Sequence, residues 1–444
     1  MKASSILFAM LNEFGHLNPT FKLSKALAAR GHRVRYLAID DLRSAIEAQG
    51  FEVEPLFTDL FPAGLLRAEE KLGTLARRRA ITARYQTVLQ RLRETSPVAD
   101  VPALMLVDVT QTHLALWARR VGCPFVHLNT SLPQGKDPGV PPLRTGAPYA
   151  DSLLGRASTE FAWGKFLVKR RLGASVASFA KMAPPYDLAR RSAAAFGVPA
   201  RELDTSTVYM PQLRGVTELV FCPEAFDFPR PPHPERHYVE SIDLTRSEPD
   251  FAWGGLSTEM PLIYCALGGQ VYRADDVPAF FRRLLKVFRK RPDWQLLLAV
   301  GKHLSPAELD APSNVVVVER APQLAALKRA RVMVTHGGLG SIKECIMNAV
   351  PMLGVPLDVD QPGNVARVVH HGMGLSRDLK LSSEAELRSA LERLLDDPSF
   401  RARASAMRDS FMRVESAQHG ADLVERMLGD AAGRSAPTGP RVET

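Results

Sequence analysis

Cysteine is scarce: four thiols in 444 residues, at Cys123, Cys222, Cys265 and Cys345, none close to another. No Cys-x-x-Cys pair exists, which argues against a zinc site or a disulfide framework, and reduced, partly buried thiols fit a cytoplasmic protein. Long hydrophobic runs are also missing. Nothing approaches the ~18 uninterrupted apolar residues of a spanning helix. The run Ile6–Leu11, followed at once by Asn12 and Glu13, is too short for a signal peptide. Three nucleotide or nucleophile signatures are absent as well. No Gly-x-Gly-x-x-Gly follows the first apolar run, there is no P-loop, and Gly338-Leu339-Gly340-Ser341 is not the Gly-x-Ser-x-Gly elbow of hydrolases.

What remains is an ordinary globular composition, 45 % apolar and 24 % charged. The length predicts two or three domains, two being the simpler reading. The net charge of +9 is unevenly spread. Arg67–Arg93 and Arg156–Arg191 each hold eight Lys/Arg against two acids, so the rest is slightly acidic. No aromatic-interleaved basic motif accompanies them, so no nucleic-acid partner is expected. Solvated helix faces are the plain reading of these windows. Peripheral membrane contact through basic helices, or a rim attracting an anionic ligand, is the functional one.

Short apolar runs alternate with helical patterns. Ile6–Met10, Val34–Ala38, Phe51–Leu56, Leu104–Val107, Phe125–Leu128 and Leu219–Phe221 read as buried strands, with helices at Thr20–Arg30 and Leu42–Gln49. The pattern restarts with strands at Leu262–Leu267, Leu296–Val300, Val315–Val318, Val332–Thr335 and Met352–Val355, and a helix at Ala279–Arg291. Strands separated by helices imply parallel sheets covered on both faces. The expected organisation is α/β: a Rossmann-like domain at 1–230, a proline-rich connector at 231–258, and a second Rossmann-like domain at 259–408. A helix at 409–429 is expected to pack back toward the first domain, and a disordered tail at 430–444. A cleft lies between the halves.

The chemistry concentrates between Arg320 and Asn364. A buried strand ends at Thr335, His336-Gly337-Gly338 turns, and a helix starts near Gly340. A helix N-terminus offers unpaired N–H groups and a positive dipole end to phosphate. Glycines at 337, 338 and 340 let backbone approach closely. Ser341 adds a hydroxyl, His336 a donor for a diphosphate oxygen, and Glu344 an acceptor for ribose hydroxyls. Asp358-Val359-Asp360-Gln361 follows a Gly/Pro-rich turn, and hydrogen bonding to a polyhydroxylated ligand explains it better than a divalent metal. In the first half, His16 follows the first strand and Asp108 the fourth. An imidazole near neutral pKa beside an acid can serve as a general base.

These residues carry a resemblance. His336, Gly338, Ser341, Glu344, Gly354-Val355-Pro356 and Asp360-Gln361…Asn364, with Ala321-Pro322-Gln323 upstream, resemble the donor signature of family 1 nucleotide-sugar-dependent glycosyltransferases (the UGT superfamily, GT-B fold). Gly15-His16…Pro19 resembles that family's catalytic loop, and Leu267-Gly268-Gly269 its phosphate turn; the bacterial macrolide branch is most similar. The resemblance runs from about residue 5 to about residue 425. It implies an inverting transfer of a hexose from a UDP- or dTDP-sugar, without metal or other cofactor, to a hydroxyl of a small lipophilic natural product. By that likeness His16 is the base and Asp108 its orienting partner. Gly268, Gly269, His336, Gly338, Gly340 and Ser341 hold the diphosphate, Gln323 faces the base, Glu344 the ribose, and Asp360 and Gln361 the sugar. Arg320, counted among the donor-binding residues, stands where the family often has Trp, and its guanidinium can stack on a base too; Gly269 stands where the family often has Ser or Thr, and the two departures leave uracil or thymine open. For the acceptor, Phe57, Phe61, Leu65, Leu66, Phe161, Trp163 and Phe166 are candidate lining. Two competing readings are a nucleotide-sugar epimerase or hydrolase, and a non-catalytic sugar-nucleotide-binding partner. The pairs His16–Asp108 and Asp360–Gln361 argue against the first, and the presence of both His16 and Asp108 against the second.

Overall fold

The computed structural model describes residues 3–11, 13–179, 183–243, 248–268, 276–302 and 304–434. In the first half, β1 (Ser5–Ala9), α1 (Phe14–Leu17), α2 (Phe21–Ala29), β2 (Arg33–Ala38), α3 (Asp40–Glu47) and β3 (Glu52–Pro55) build outward to one sheet edge. Helices α4 (Leu65–Glu70) and α5 (Thr74–Glu94) return the chain to β4 (Leu104–Asp108), beside β1. Then come α6 (Thr112–Val121), β5 (Phe125–Asn129), α7 (Leu153–Phe179), α8 (Pro185–Ser192), a short antiparallel ribbon of β6 (Leu203–Asp204) and β7 (Gln212–Leu213), β8 (Glu218–Val220) and β9 (Arg236–Tyr238). The seven-stranded sheet has the order β3-β2-β1-β4-β5-β8-β9, with every pairing parallel.

The second half repeats the plan: β10 (Leu262–Ala266), α9 (Val277–Arg289), β11 (Gln295–Ala299), β12 (Val315–Val318), α10 (Gln323–Arg329), β13 (Ala330–Thr335), α11 (Leu339–Met347), β14 (Met352–Gly354), α12 (Gln361–His370), β15 (Gly374–Ser376), α13 (Glu384–Asp396), α14 (Ser399–Glu415) and α15 (His419–Arg434). Its parallel order is β12-β11-β10-β13-β14-β15.

Both sheets are covered twice, which is why their strands read as continuous apolar runs. Ile6, Phe8, Leu104 and Leu106 enter one core, and Leu7, Ala9, Met105 and Val107 the opposite one. Ile263, Cys265, Val332 and Val334 likewise oppose Leu262, Tyr264 and Met333. The cluster under Tyr264 continues into the first half through Leu132, Trp163, Val220 and Cys222, so one apolar body joins the two sheets.

Three boundaries differ from expectation. The 231–258 connector supplies strand β9, because beyond Pro234 nothing blocks pairing and Val239 is fully buried. The expected 409–429 helix is two: α14 ends at Glu415, and Gln418 takes a left-handed φ of 45° before α15. Ala421 and Val424 of α15 then lie in the core of the first sheet. Residues 430–434 continue α15 rather than a tail, and 435–444 lie outside the described residues.

Candidate active site

A parallel sheet whose strand order reverses opens a crevice at the reversal, at the strands' carboxyl ends. Here that happens twice. Between β1 and β4 the crevice collects His16 and Asp108. Between β10 and β13 it collects Gly268 and His336.

In the first crevice, His16 sits in α1, and its Nδ1 lies 2.7 Å from Asp108 Oδ2 and 2.8 Å from Thr130 Oγ1. Asp108 is the last residue of β4 and fully buried. Its other oxygen accepts from the Thr110 N–H (2.8 Å) and hydroxyl (2.6 Å). Nδ1 is thereby committed to Asp108, which leaves Nε2 as the ring's free basic nitrogen. Burial disfavours charge on His16, yet the attraction and hydrogen bond of Asp108, with Glu13 and Asp360 nearby, outweigh it and lift its pKa to about 9. Burial likewise opposes ionisation of Asp108, but His16 and Thr110 hold its carboxyl below the usual range.

In the second crevice, a Cβ on Gly268 would lie 2.7 Å from His336 Cε1, and one on Gly338 2.6 Å from Nε2. The imidazole is clamped between two backbones that only glycine permits. Burial lowers the His336 pKa to about 4, with Asp360 opposing, so the ring is a neutral donor. Its Nδ1 is buried without a partner among the described residues. Next to it, α11 begins at Leu339 with no side-chain cap, and its first internal bond runs from the Ile342 N–H to Gly338 O (3.1 Å). The N–H groups before Ile342 are those a helix leaves for an anion. Gly340 is exposed, and a Cβ there would meet nothing within 4 Å.

One turn along α11, Gln323 Nε2 donates to Glu344 Oε2 (2.6 Å) and Ser341 Oγ (3.2 Å), joining three of the sequence candidates. Glu248 accepts the N–H groups of Leu324 (2.8 Å) and Ala325 (2.9 Å), fixing α10 and with it Gln323. Arg320 is not part of this group: its side chain is 81 % exposed beside Glu319. Gly269 lies outside the described residues.

Asp360 connects the crevices. It precedes α12, and its Oδ2 accepts from Ser131 Oγ (2.8 Å), across the cleft, and from Asn364 Nδ2 (3.1 Å). Asn364 also donates to Gly337 O (3.1 Å), which ties this loop to the glycine turn. Gln361 Oε1 accepts from the Leu357 (2.8 Å) and Asp358 (3.2 Å) N–H groups and so shapes the loop. Asp358 pairs with Arg144 at 2.6 Å.

Sequence reasoning missed Thr110, Thr130, Ser131 and Glu248. Thr130 and Ser131 follow β5, the strand beside β4, so their signal was position at a third strand end. The apolar acceptor candidates fall into separate groups rather than one pocket: Phe61 packs with Phe57 against one core and with Leu66 against another, and Trp163 meets Phe166 at 5.8 Å between ring centroids. Trp163 is buried and donates to Val140 O (2.8 Å), Leu66 packs in one core, Phe57 in another, and Phe161 is 75 % exposed.

Two reversal-point crevices facing each other, an imidazole–carboxylate pair in one and an anion turn in the other, define a GT-B glycosyltransferase. The model of the UDP-glucoronosyl and UDP-glucosyl transferase family matches residues 196–417, half of the chain, and the chain belongs to that family. Among curated relatives, the oleandomycin glycosyltransferase of Streptomyces antibioticus is 28 % identical, covering 96 % of this chain and 91 % of its own. The zeaxanthin glucosyltransferase of Pantoea ananas is 26 % identical, covering 94 % of both. The solved glycotransferase of kitacinnamycin has a TM-score of 0.71 at 25 % identity, covering 96 % of this chain and 99 % of that one. The protein is therefore a nucleotide-sugar-dependent glycosyltransferase.

Proposed function

We propose that this enzyme transfers a hexose, with inversion, from a UDP- or dTDP-sugar to a hydroxyl of a small lipophilic natural product, with His16 as general base. The observation that carries this is the convergence on Asp360: its carboxylate accepts from Ser131 (2.8 Å), next to the Thr130 that meets His16, and from Asn364 (3.1 Å), which also holds the turn that carries His336. A base and a leaving-group site on opposite sides of one carbon suit a single displacement. Nε2 of His16 takes the acceptor's hydroxyl proton as its oxygen attacks the anomeric carbon, and the sugar–phosphate bond breaks on the far side. Asp108 stabilises the imidazolium. The N–H groups of α11, the Ser341 hydroxyl and the His336 ring receive the charge growing on the diphosphate. These donors do the work a divalent cation would do, which supports a metal-free reaction. Glu344, held by Gln323, suits the ribose; Asp360 and Gln361 suit the sugar hydroxyls. The lipophilic acceptor rests on the relatives, whose names specify oleandomycin and zeaxanthin.

Calorimetric titration of UDP and dTDP tests the donor half. One of the two should bind in the micromolar range, and Glu344→Ala should weaken it. If neither binds, the donor assignment fails. His16→Ala should leave that binding nearly intact while lowering transfer ~10²–10⁴-fold, the usual worth of a general base. Wild-type turnover in that variant would remove His16 from the mechanism.

A further inference from the structure

Helix α7 is apolar on both sides. Its inner side buries Thr159 and Trp163 and partly covers Phe166 and Leu167. Its outer side should be polar in a helix that meets only water. Instead Leu154, Phe161, Val168 and Leu172, spaced by seven, seven and four residues, form one line at 85 %, 75 %, 55 % and 64 % exposure. Leu153 beside them is 87 % exposed. A row of large apolar side chains this exposed along one helix line marks a contact surface rather than a scatter of surface residues.

The charges around the stripe say what it contacts. Lys165 lies within it, Lys169 and Arg171 flank it, all three are exposed, and none makes an ion pair among the described residues. The nearby acids are taken: Glu160 by Lys136 at 2.5 Å and Asp151 by Arg156 at 2.7 Å. We propose that the outer face of α7 docks on an anionic lipid surface, with the four apolar side chains entering the headgroup boundary and the three cations meeting lipid phosphates. An amphipathic helix lying in the interface has this pattern, with long cationic side chains reaching outward from an apolar face. A second copy of the chain fits less well, because it would bring Lys165 and its neighbours against their own kind. The helix is held firmly: Trp163 Nε1 donates to Val140 O (2.8 Å), in the segment that also supplies Ser131 and Leu143 to the cleft. Docking would therefore place the cleft beside the lipid.

Co-sedimentation of the full chain with vesicles of phosphatidylcholine, alone or mixed with phosphatidylglycerol, tests the proposal. Pelleting is expected with the anionic vesicles only, and it should weaken as salt screens the cations. Phe161→Ser with Leu172→Ser, and separately Lys165→Glu with Lys169→Glu, should each lower vesicle affinity about tenfold or more. An unchanged far-UV circular dichroism spectrum and an unchanged melting temperature in both double variants show that they fold. Absence of pelleting at low salt, or pelleting that neither double variant weakens, overturns the proposal. A dimer in sedimentation velocity that Phe161→Ser with Leu172→Ser dissolves would also overturn it, assigning the face to self-association.

Discussion

The acid–base pair has a consequence for pH at the scale of single residues. A base with a pKa of about 9 is mostly protonated at neutral pH, so only the minority neutral form of His16 can accept a proton. The rate kcat/KM should therefore rise with pH up to about 9, unlike that of a free imidazole, which levels off near 7. Asp108→Asn removes the negative partner but leaves the burial. The limb should then move to lower pH, while the rate at its plateau falls, because the imidazolium formed in the transition state loses its counter-charge. A pH–rate profile of the two proteins decides it, and an unshifted limb in Asp108→Asn would mean that another group titrates. His16 and Asp108 could be read from the sequence because each stands alone at a strand end. Thr130 and Ser131 could not: hydroxyls after strands are common, and only the sheet order shows that this pair meets His16 and Asp360.

At the scale of elements, the glycines of the donor turn do different jobs. Gly340 is open, whereas Gly268 and Gly338 are filled by the His336 ring. Gly338→Ala places a methyl within 2.6 Å of Nε2 and must push the ring out of position. Gly340→Ala meets no protein atom and, inside a helix, favours the backbone slightly. In calorimetry on unliganded protein, Gly338→Ala should weaken nucleotide diphosphate binding about tenfold or more, a loss that one displaced hydrogen bond to a charged group accounts for. Gly340→Ala should weaken it only if the diphosphate lies against that backbone, so a loss there of similar size supports the assigned anion position, and no loss moves it. The strand–turn–helix itself was legible because an apolar run, glycines and a helical pattern follow one another without a gap. Strand β9 was not, because Arg236, His237 and Tyr238 lack the apolar run of a central strand and the prolines before them mask the edge.

At the scale of the whole molecule, two α/β halves were legible from the restart of the pattern. The way they are stitched together was not, since it depends on residues far apart in sequence. Arg367 of α12 is buried against Asp227 (2.7 Å), which also holds Arg230 (2.6 Å), and Lys22 of α2 reaches Glu415 of α14 (2.7 Å). The same burial sets the limits of stability with pH. His113 and His127 are buried and His336 is half-buried, and desolvation lowers their pKa values to about 3, 4 and 4. The unfolded chain binds their protons below its ordinary pKa of about 6.5, so stability falls as pH drops below that value, by about 1.4 kcal/mol per pH unit for each histidine. His16 has the opposite sign: its raised pKa gives stability that is complete below about 6.5 and lost as pH rises toward 9. Three histidines together cost about 4 kcal/mol per pH unit, and domains have only about 5–15 kcal/mol in total. The melting temperature should hence fall steeply between pH 6.5 and 5 and more gently between pH 7 and 9. Scanning calorimetry across that range, with His127→Gln as the comparison, tests the cause: the variant should show a shallower acid slope, since one of the imidazoles that resist protonation in the fold is gone. An acid slope unchanged in His127→Gln would mean that this imidazole already takes its proton in the folded protein, with water reaching β5 from the cleft.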